Sequence, residues 1–154
     1  MAVNDATYNL SFHEILTKVN NAKDKPKKLE VLKKYDTNEL RMFLKGAFDE
    51  KLEWLLPEGK PPYTPNEAPV GTEHTWLKQE VKRMFHFLKN GNPQLSQMKR
   101  DNMFIQMLEG LSAEEAELLV WAKDGELNKH YKGLTGNLVK EAFNWNDDYM
   151  RNNT

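Results

Sequence analysis

Ser11-Phe12-His13-Glu14-Ile15-Leu16-Thr17-Lys18-Val19 decides the fold class of this chain. Serine followed three residues later by glutamate is a capping box: the hydroxyl accepts an early helical N–H and the carboxylate returns to the cap's own N–H. Phe12, Ile15, Leu16 and Val19 then fall on one face of a 3.6-residue period. The same grammar recurs along the 154 residues. Asp24 with Pro26 opens a helix burying Leu29, Leu32 and Tyr35. Asp36-Thr37-Asn38-Glu39 precedes Leu40, Phe43, Leu44 and Ala47, with Gly46 weakening that helix near its end. Ser112-Ala113-Glu114-Glu115 precedes Ala116, Leu119 and Val120. Thr135 caps a last helix carrying Leu138, Val139, Ala142 and Phe143.

The most sustained stripe is Leu77, Val81, Met84, Phe85 and Leu88, which predicts one continuous amphipathic helix packed against Phe104 and Leu108. Asn92 and Pro93 then open a long helix through Leu95, Met98, Ile105 and Leu108, which Gly110 ends. Asp49 is expected to cap a short helix with Leu52, Leu55 and Leu56, and another short one passes Leu127 and Tyr131. Nothing alternates with period two long enough to propose a sheet. The expectation is an all-α fold: a single domain over 1–154 with about seven or eight helices. Two loosely pseudo-symmetric halves are expected, with Leu40 to Leu56 and Leu118 to Phe143 as candidate equivalents.

Between Pro57 and Gly71 lie Pro57, Pro61, Pro62, Pro65 and Pro69, which forbid helix and favour an extended connection. This Pro-rich connecting loop, 57–72, reads either as a linker or as a partner-binding loop displaying Tyr63 between Pro62 and Pro65. Residues 1–10 and 145–154 read as loose termini, although Trp145 and Tyr149 favour docking of the tail.

Lysine and arginine total 22 against 23 aspartates and glutamates, a net charge of −1. Duplex-DNA binders usually carry a basic excess, since phosphate neutralisation supplies most of their affinity. Only the run Lys23, Lys25, Lys27, Lys28, Lys33 and Lys34 stands out here, diluted by Asp24 and Glu30. There is no cysteine, hence no disulfide, thiolate metal site or thiol nucleophile; this fits a reducing cytosol. No apolar run is long enough to span a bilayer, and Met1 to Thr7 lacks the features of a secretory signal.

The histidines His13, His74, His86 and His130 are scattered, with no pair at metal-binding spacing. No phosphate loop, dinucleotide fingerprint or nucleophile elbow occurs. The expectation is a non-enzymatic protein with no metal and no cofactor. One element could meet phosphate: Lys132-Gly133-Leu134-Thr135 runs into a helix N-terminus, flanked by Lys129 and His130. The same residues also read as a plain glycine corner with a threonine cap.

Two resemblances rest on specific strings. Lys34-Tyr35-Asp36, Glu39-Leu40-Arg41, Glu53-Trp54-Leu55-Leu56-Pro57-Glu58-Gly59, Pro62-Tyr63-Thr64-Pro65-Asn66, Gly71-Thr72-Glu73-His74 and Val139-Lys140-Glu141-Ala142-Phe143 together resemble an uncharacterised protein family of T-even-type tailed phages, especially cyanophages. That implies a place in the host cytoplasm. The element order also resembles the N-terminal DNA-binding domain of phage-type ATP-dependent DNA ligases. The carrying features are the lysine-rich helix, Asn38-Glu39-Leu40, Leu52-Glu53-Trp54-Leu55-Leu56, and Gly133-Leu134-Thr135 before Leu138-Val139 and Phe143. This resemblance implies backbone-directed duplex contact through Lys129, Lys132, Gly133 and Thr135 at one corner and Lys45 with Lys51 at the other. The chain departs from the pattern at Asp49-Glu50, at Asn128-Lys129-His130, and at Lys123-Asp124-Gly125, which is not the ligase's catalytic motif.

Two functions follow as expectations. One is a phage accessory module on duplex DNA or in a DNA-processing complex. The other is a protein-interaction adaptor for a replication, recombination or transcription protein, without direct DNA contact.

Overall fold

Ser11 closes its capping box in the computed structural model, which describes residues 10–69 and 74–152. The Ser11 hydroxyl accepts the Glu14 N–H at 3.1 Å and Glu14 accepts the Ser11 N–H at 3.0 Å. Helix α1 (Phe12–Asn21) follows and buries Phe12, Ile15, Leu16 and Val19. Asp24 caps α2 (Lys25–Lys34), with Pro26 in its first turn. The cap of α3 (Asn38–Phe48) is Thr37, whose hydroxyl accepts the Leu40 N–H. Asp36 is freed by that one-residue shift and makes a two-pronged pair with Arg41. The expected loose terminus at 1–10 and the Gly71-Thr72-Glu73 string lie, except for Leu10, outside the described residues.

The short helix expected after Asp49 does not form. Residues 50–56 run back irregularly, and Trp54 pairs with Leu88 in an isolated antiparallel bridge. The Leu77–Leu88 stripe is not one α-helix either. A single α-turn, α4 (Leu77–Glu80), passes directly into a 3-10 helix over Val81–Phe87. The tighter coil has three residues per turn, so Val81, Met84 and Phe87 share the buried face. Phe85 is turned outward and is 46% exposed. Phe87 meets Phe104 edge-on at 5.2 Å, the contact expected of its neighbours.

Helix α5 (Gln97–Gly110) begins at a Ser96 cap, four residues after the expected Asn92, and Met98 is exposed. The intervening loop is organised from within. Arg100, buried, donates to the carbonyls of His86 (2.9 Å), Asn92 (3.2 Å) and Leu95 (3.1 Å). Helix α6 (Ala113–Lys123) is buried over most of its surface, with Glu117 left exposed, and packs against α1, α3, α5 and the short α7 (Leu127–His130). Helix α8 (Gly136–Phe143), capped by Thr135, lies on α2 and α3. Among the described residues there are thus eight α-helices, one 3-10 helix and no strand beyond isolated bridges, in one all-α domain. The proposed equivalents differ in content: Leu40 to Leu56 holds part of one helix and an irregular return, while Leu118 to Phe143 holds the end of α6 with α7 and α8.

The tail is folded back as far as Asn152. Asn144 adopts a left-handed conformation, Trp145 bridges to Arg151, and Asn152 N–H donates to the Asn144 carbonyl at 3.0 Å. Trp145 packs on Phe143 and edge-on to Tyr149. The loose C-terminus expected at 145–154 is therefore a docked turn through Asn152, held by the two aromatic residues that favoured docking.

Candidate functional site

The two lysine corners are each occupied by the protein's own acceptors. At the first, Lys45 donates to the Tyr149 carbonyl at 3.3 Å and Lys51 pairs with Asp148. Lys140 pairs with Asp147 at 3.1 Å, so the tail lays two carboxylates against this basic surface. At the second, the Gly133 N–H donates to the Asn20 side-chain oxygen at 3.1 Å. Thr135 uses its hydroxyl to accept the Leu138 N–H at 3.1 Å. Lys129 lies 3.6 Å from Glu126, and Lys132 is exposed. The corner is built as its capping reading expects, and its glycine N–H is already engaged. Lys28, from the lysine-rich run, is also internal: its ammonium donates to the carbonyls of Val19, Asn20 and Ala22 at the C-terminal end of α1. A cation there is favoured by the helix dipole.

The proline loop is strapped to the body. Lys123 is buried and donates to the carbonyls of Pro57 (2.9 Å) and Gly59 (3.0 Å) while pairing with Asp124. Asp124 accepts the Gly59 N–H in return. Further along, Thr64 N–H donates to Glu109 at 2.8 Å. Tyr63 is only 9% exposed and belongs to the core, so it is not a displayed recognition residue. Burial, and then the nearby Glu117 charge, push its hydroxyl pKa up. A tyrosine ring packs into the apolar layer more favourably than it projects into water. Pro62 and Pro65 are exposed.

Two surface features were not read from the sequence. One is an apolar groove of about 210 Å³ lined by Met42, Leu52, Val81, Met84, Phe85 and Leu88, with Lys45, Gly46 and Lys82 completing its walls. Met42 and Phe85 are each 46% exposed there. A Cβ on Gly46 would stand 2.9 Å from the Met84 methyl and 3.3 Å from the Trp54 ring, so a larger residue there would have to displace the end of the Met84 side chain. The other is a neighbouring cleft of about 370 Å³ between the ends of α3 and α6, which shares Gly46 and Leu52 with the groove. The groove's only sequence signal was Phe85, misassigned to the core because a 3.6-residue period was applied to a 3-10 turn.

His13 meets the Tyr131 hydroxyl at 3.1 Å, His86 meets Asn92 at 3.0 Å, and His130 stacks on Trp121 at 3.7 Å. Among the described residues no group of three metal-ligating side chains gathers, and no helix is long and apolar enough to cross a membrane. No curated protein and no solved structure matches the chain. A family of unknown function, DUF6433, matches residues 15–129, from α1 into α7, and the chain belongs to that family.

Proposed function

We propose that this protein is an interaction adaptor that docks on another protein, one engaged in replication, recombination or transcription, rather than a binder of duplex DNA. The observation that carries this reading is the open groove holding Met42 and Phe85, two large apolar side chains left half in water. Apolar side chains gathered at a groove mouth mark protein contacts more often than isolated exposed ones do. The lysine corners speak against DNA as the direct partner. Lys45, Lys51 and Lys129 each face an internal oxygen, and the chain's net charge of −1 supplies no phosphate-seeking field. The family match also takes in the groove and stops short of the Gly133–Thr135 corner. The sequence resemblance to tailed-phage proteins supports seeking the partner in infected cells.

The test has two arms. Wild-type protein titrated with a nicked duplex at low salt is expected to show no saturable binding. The partner co-isolated from infected cells is expected to be lost with Met42→Ser plus Phe85→Ser. Saturable duplex binding that Lys129→Glu plus Lys132→Glu removes would replace the adaptor reading with the DNA one.

A further inference from the structure

The cleft beside the groove carries an electrostatic arrangement that the fold itself does not use. Its walls come from the last turn of α3 (Gly46, Ala47, Phe48) and from Ala122 through Gly125 at the end of α6. Both helices direct their carbonyl ends toward it, and a helix C-terminus carries partial negative charge. Asp49 adds a carboxylate directly after α3, the end where a carboxylate is disfavoured. It is 6% exposed, and its one hydrogen bond accepts the Lys51 N–H at 3.0 Å on Oδ1; Oδ2 has no partner among the described residues. Asp124 stands at the same position after α6, but there Lys123 neutralises it. Asp49 has no ion-pair partner among the described residues. Glu50 and Glu58 line the same cleft, exposed and without an ion pair among the described residues.

We propose that this cleft receives a basic side chain, an arginine foremost, from the partner protein. Charge complementarity selects a cation. The apolar part of the lining, Leu52, Trp54, Leu56 and Ala122, suits the aliphatic stem of a long basic residue. The half-buried Trp54 indole offers a guanidinium the additional attraction of an aromatic face. The cleft adjoins the Met42–Phe85 groove, Gly46 and Leu52 standing in the walls of both, so a basic residue in the cleft would lie close to an apolar one seated in the groove. The inference rests on the adaptor reading for the partner being a protein. The cleft's preference for a basic side chain is tested separately.

The experiment titrates the full chain with a hexa-arginine peptide while following the Trp54 indole N–H by NMR, assigned through Trp54→Phe. The peptide is expected to shift that resonance and to bind saturably. Asp49→Asn plus Glu58→Gln is expected to weaken binding at least about tenfold, equivalent to roughly 1.4 kcal/mol. Glu58 is exposed, so Glu58→Gln alone gives a measurable weakening without touching the fold. Glu30→Gln on α2 controls for general acidity and leaves affinity unchanged. Met42→Ser plus Phe85→Ser also leaves peptide affinity unchanged, so failure of the cleft and failure of the adaptor reading are told apart. Wild-type affinity in both cleft variants would overturn the proposal. Spermine binding as tightly as the peptide, with the same Trp54 shift, would overturn it too, since the site would then take any polycation.

Discussion

The Glu115 carboxylate accepts the Phe12 backbone N–H at 3.1 Å, across 103 residues of chain. Its other oxygen accepts the Leu77 N–H at 2.9 Å. One side chain on α6, 2% exposed, thus serves the first N–H groups of both α1 and α4. Helix N-termini leave such donors without intrahelical partners, and a carboxylate there also meets the favourable end of the dipole. Helices α1 and α4 are therefore both tied to α6 through a single buried carboxyl group.

Glu115→Ala should strand both donors in the interior. Each unsatisfied buried N–H costs about 1–3 kcal/mol, so a loss of roughly 2–6 kcal/mol is expected in chemical denaturation. A loss below that of an exposed-surface variant such as Glu30→Ala would contradict the role assigned to Glu115.

Burial raises the Glu115 pKa, and the N–H groups of Leu77 and Phe12 with the Lys78 charge only partly offset it. The folded state therefore holds this proton more tightly than the unfolded chain does. The stability this group contributes is full below its unfolded pKa and is lost as pH rises through its folded value. Wild type measured against Glu115→Gln, which cannot titrate, should gain relative stability as pH falls from 7 toward the ordinary carboxylate range. Unfolding free energies of both proteins at pH 7 and pH 5 check the sign, and a relative loss for wild type at pH 5 would refute it.

Arg100 ties the 90–96 loop to the 3-10 helix through the carbonyls of Asn92, Leu95 and His86 and to the Gln97 side chain, without a carboxylate partner among the described residues. Arg100→Ala is expected to cost about 2–4 kcal/mol by leaving those acceptors unpaired. Arg100→Lys should recover only part of this, since a single ammonium cannot match the guanidinium fork. Amide exchange at Leu95, Arg100 and the residues between should quicken in both variants.

The 3-10 turn makes a sharp distinction between neighbours. Phe87→Ala should cost about 3–5 kcal/mol through cavity formation, and Met84→Ala about 2–5 kcal/mol. Phe85→Ala, at a half-exposed position, should stay within roughly 1 kcal/mol. Thermal melts of the three variants decide it, and equal losses at 85 and 87 would restore a regular α-helix.

Helix starts could be read wherever the partners are local. Ser11, Asp24 and Thr135 each cap as their short-range chemistry predicts. Ser112 also caps α6, but Glu115 does not reach back to close the box, because two distant N–H groups take its oxygens. The Leu77–Leu88 helix failed for a similar reason. The carbonyls of His86 and Phe87 are committed to Arg100 and Leu55, and Lys89 donates to Glu53, contacts that no local period encodes. Apolar residues stand at both periods, Val81, Phe85 and Leu88 for a 3.6-residue repeat and Val81, Met84 and Phe87 for a 3.0-residue one, and the protein adopts the tighter one. The lysines and the glycine of the corners were visible as residues, while the tail that engages Lys45 and Lys51 and the Asn20 side chain that engages Gly133 were not. The groove was hidden altogether, because its outward Phe85 looked like core.

Site-specific photo-crosslinking at the groove tests the central claim most directly. A benzoylphenylalanine in place of Phe85, in protein produced in the cells that natively make it, is expected to yield one discrete protein adduct that nuclease treatment leaves intact. Met42→Asp in the same chain should abolish the adduct, and the photo-reactive residue at Glu30 on α2 should yield none. Adducts to nucleic acid, or a pattern at Phe85 no different from that at Glu30, would contradict docking of a partner protein in this groove.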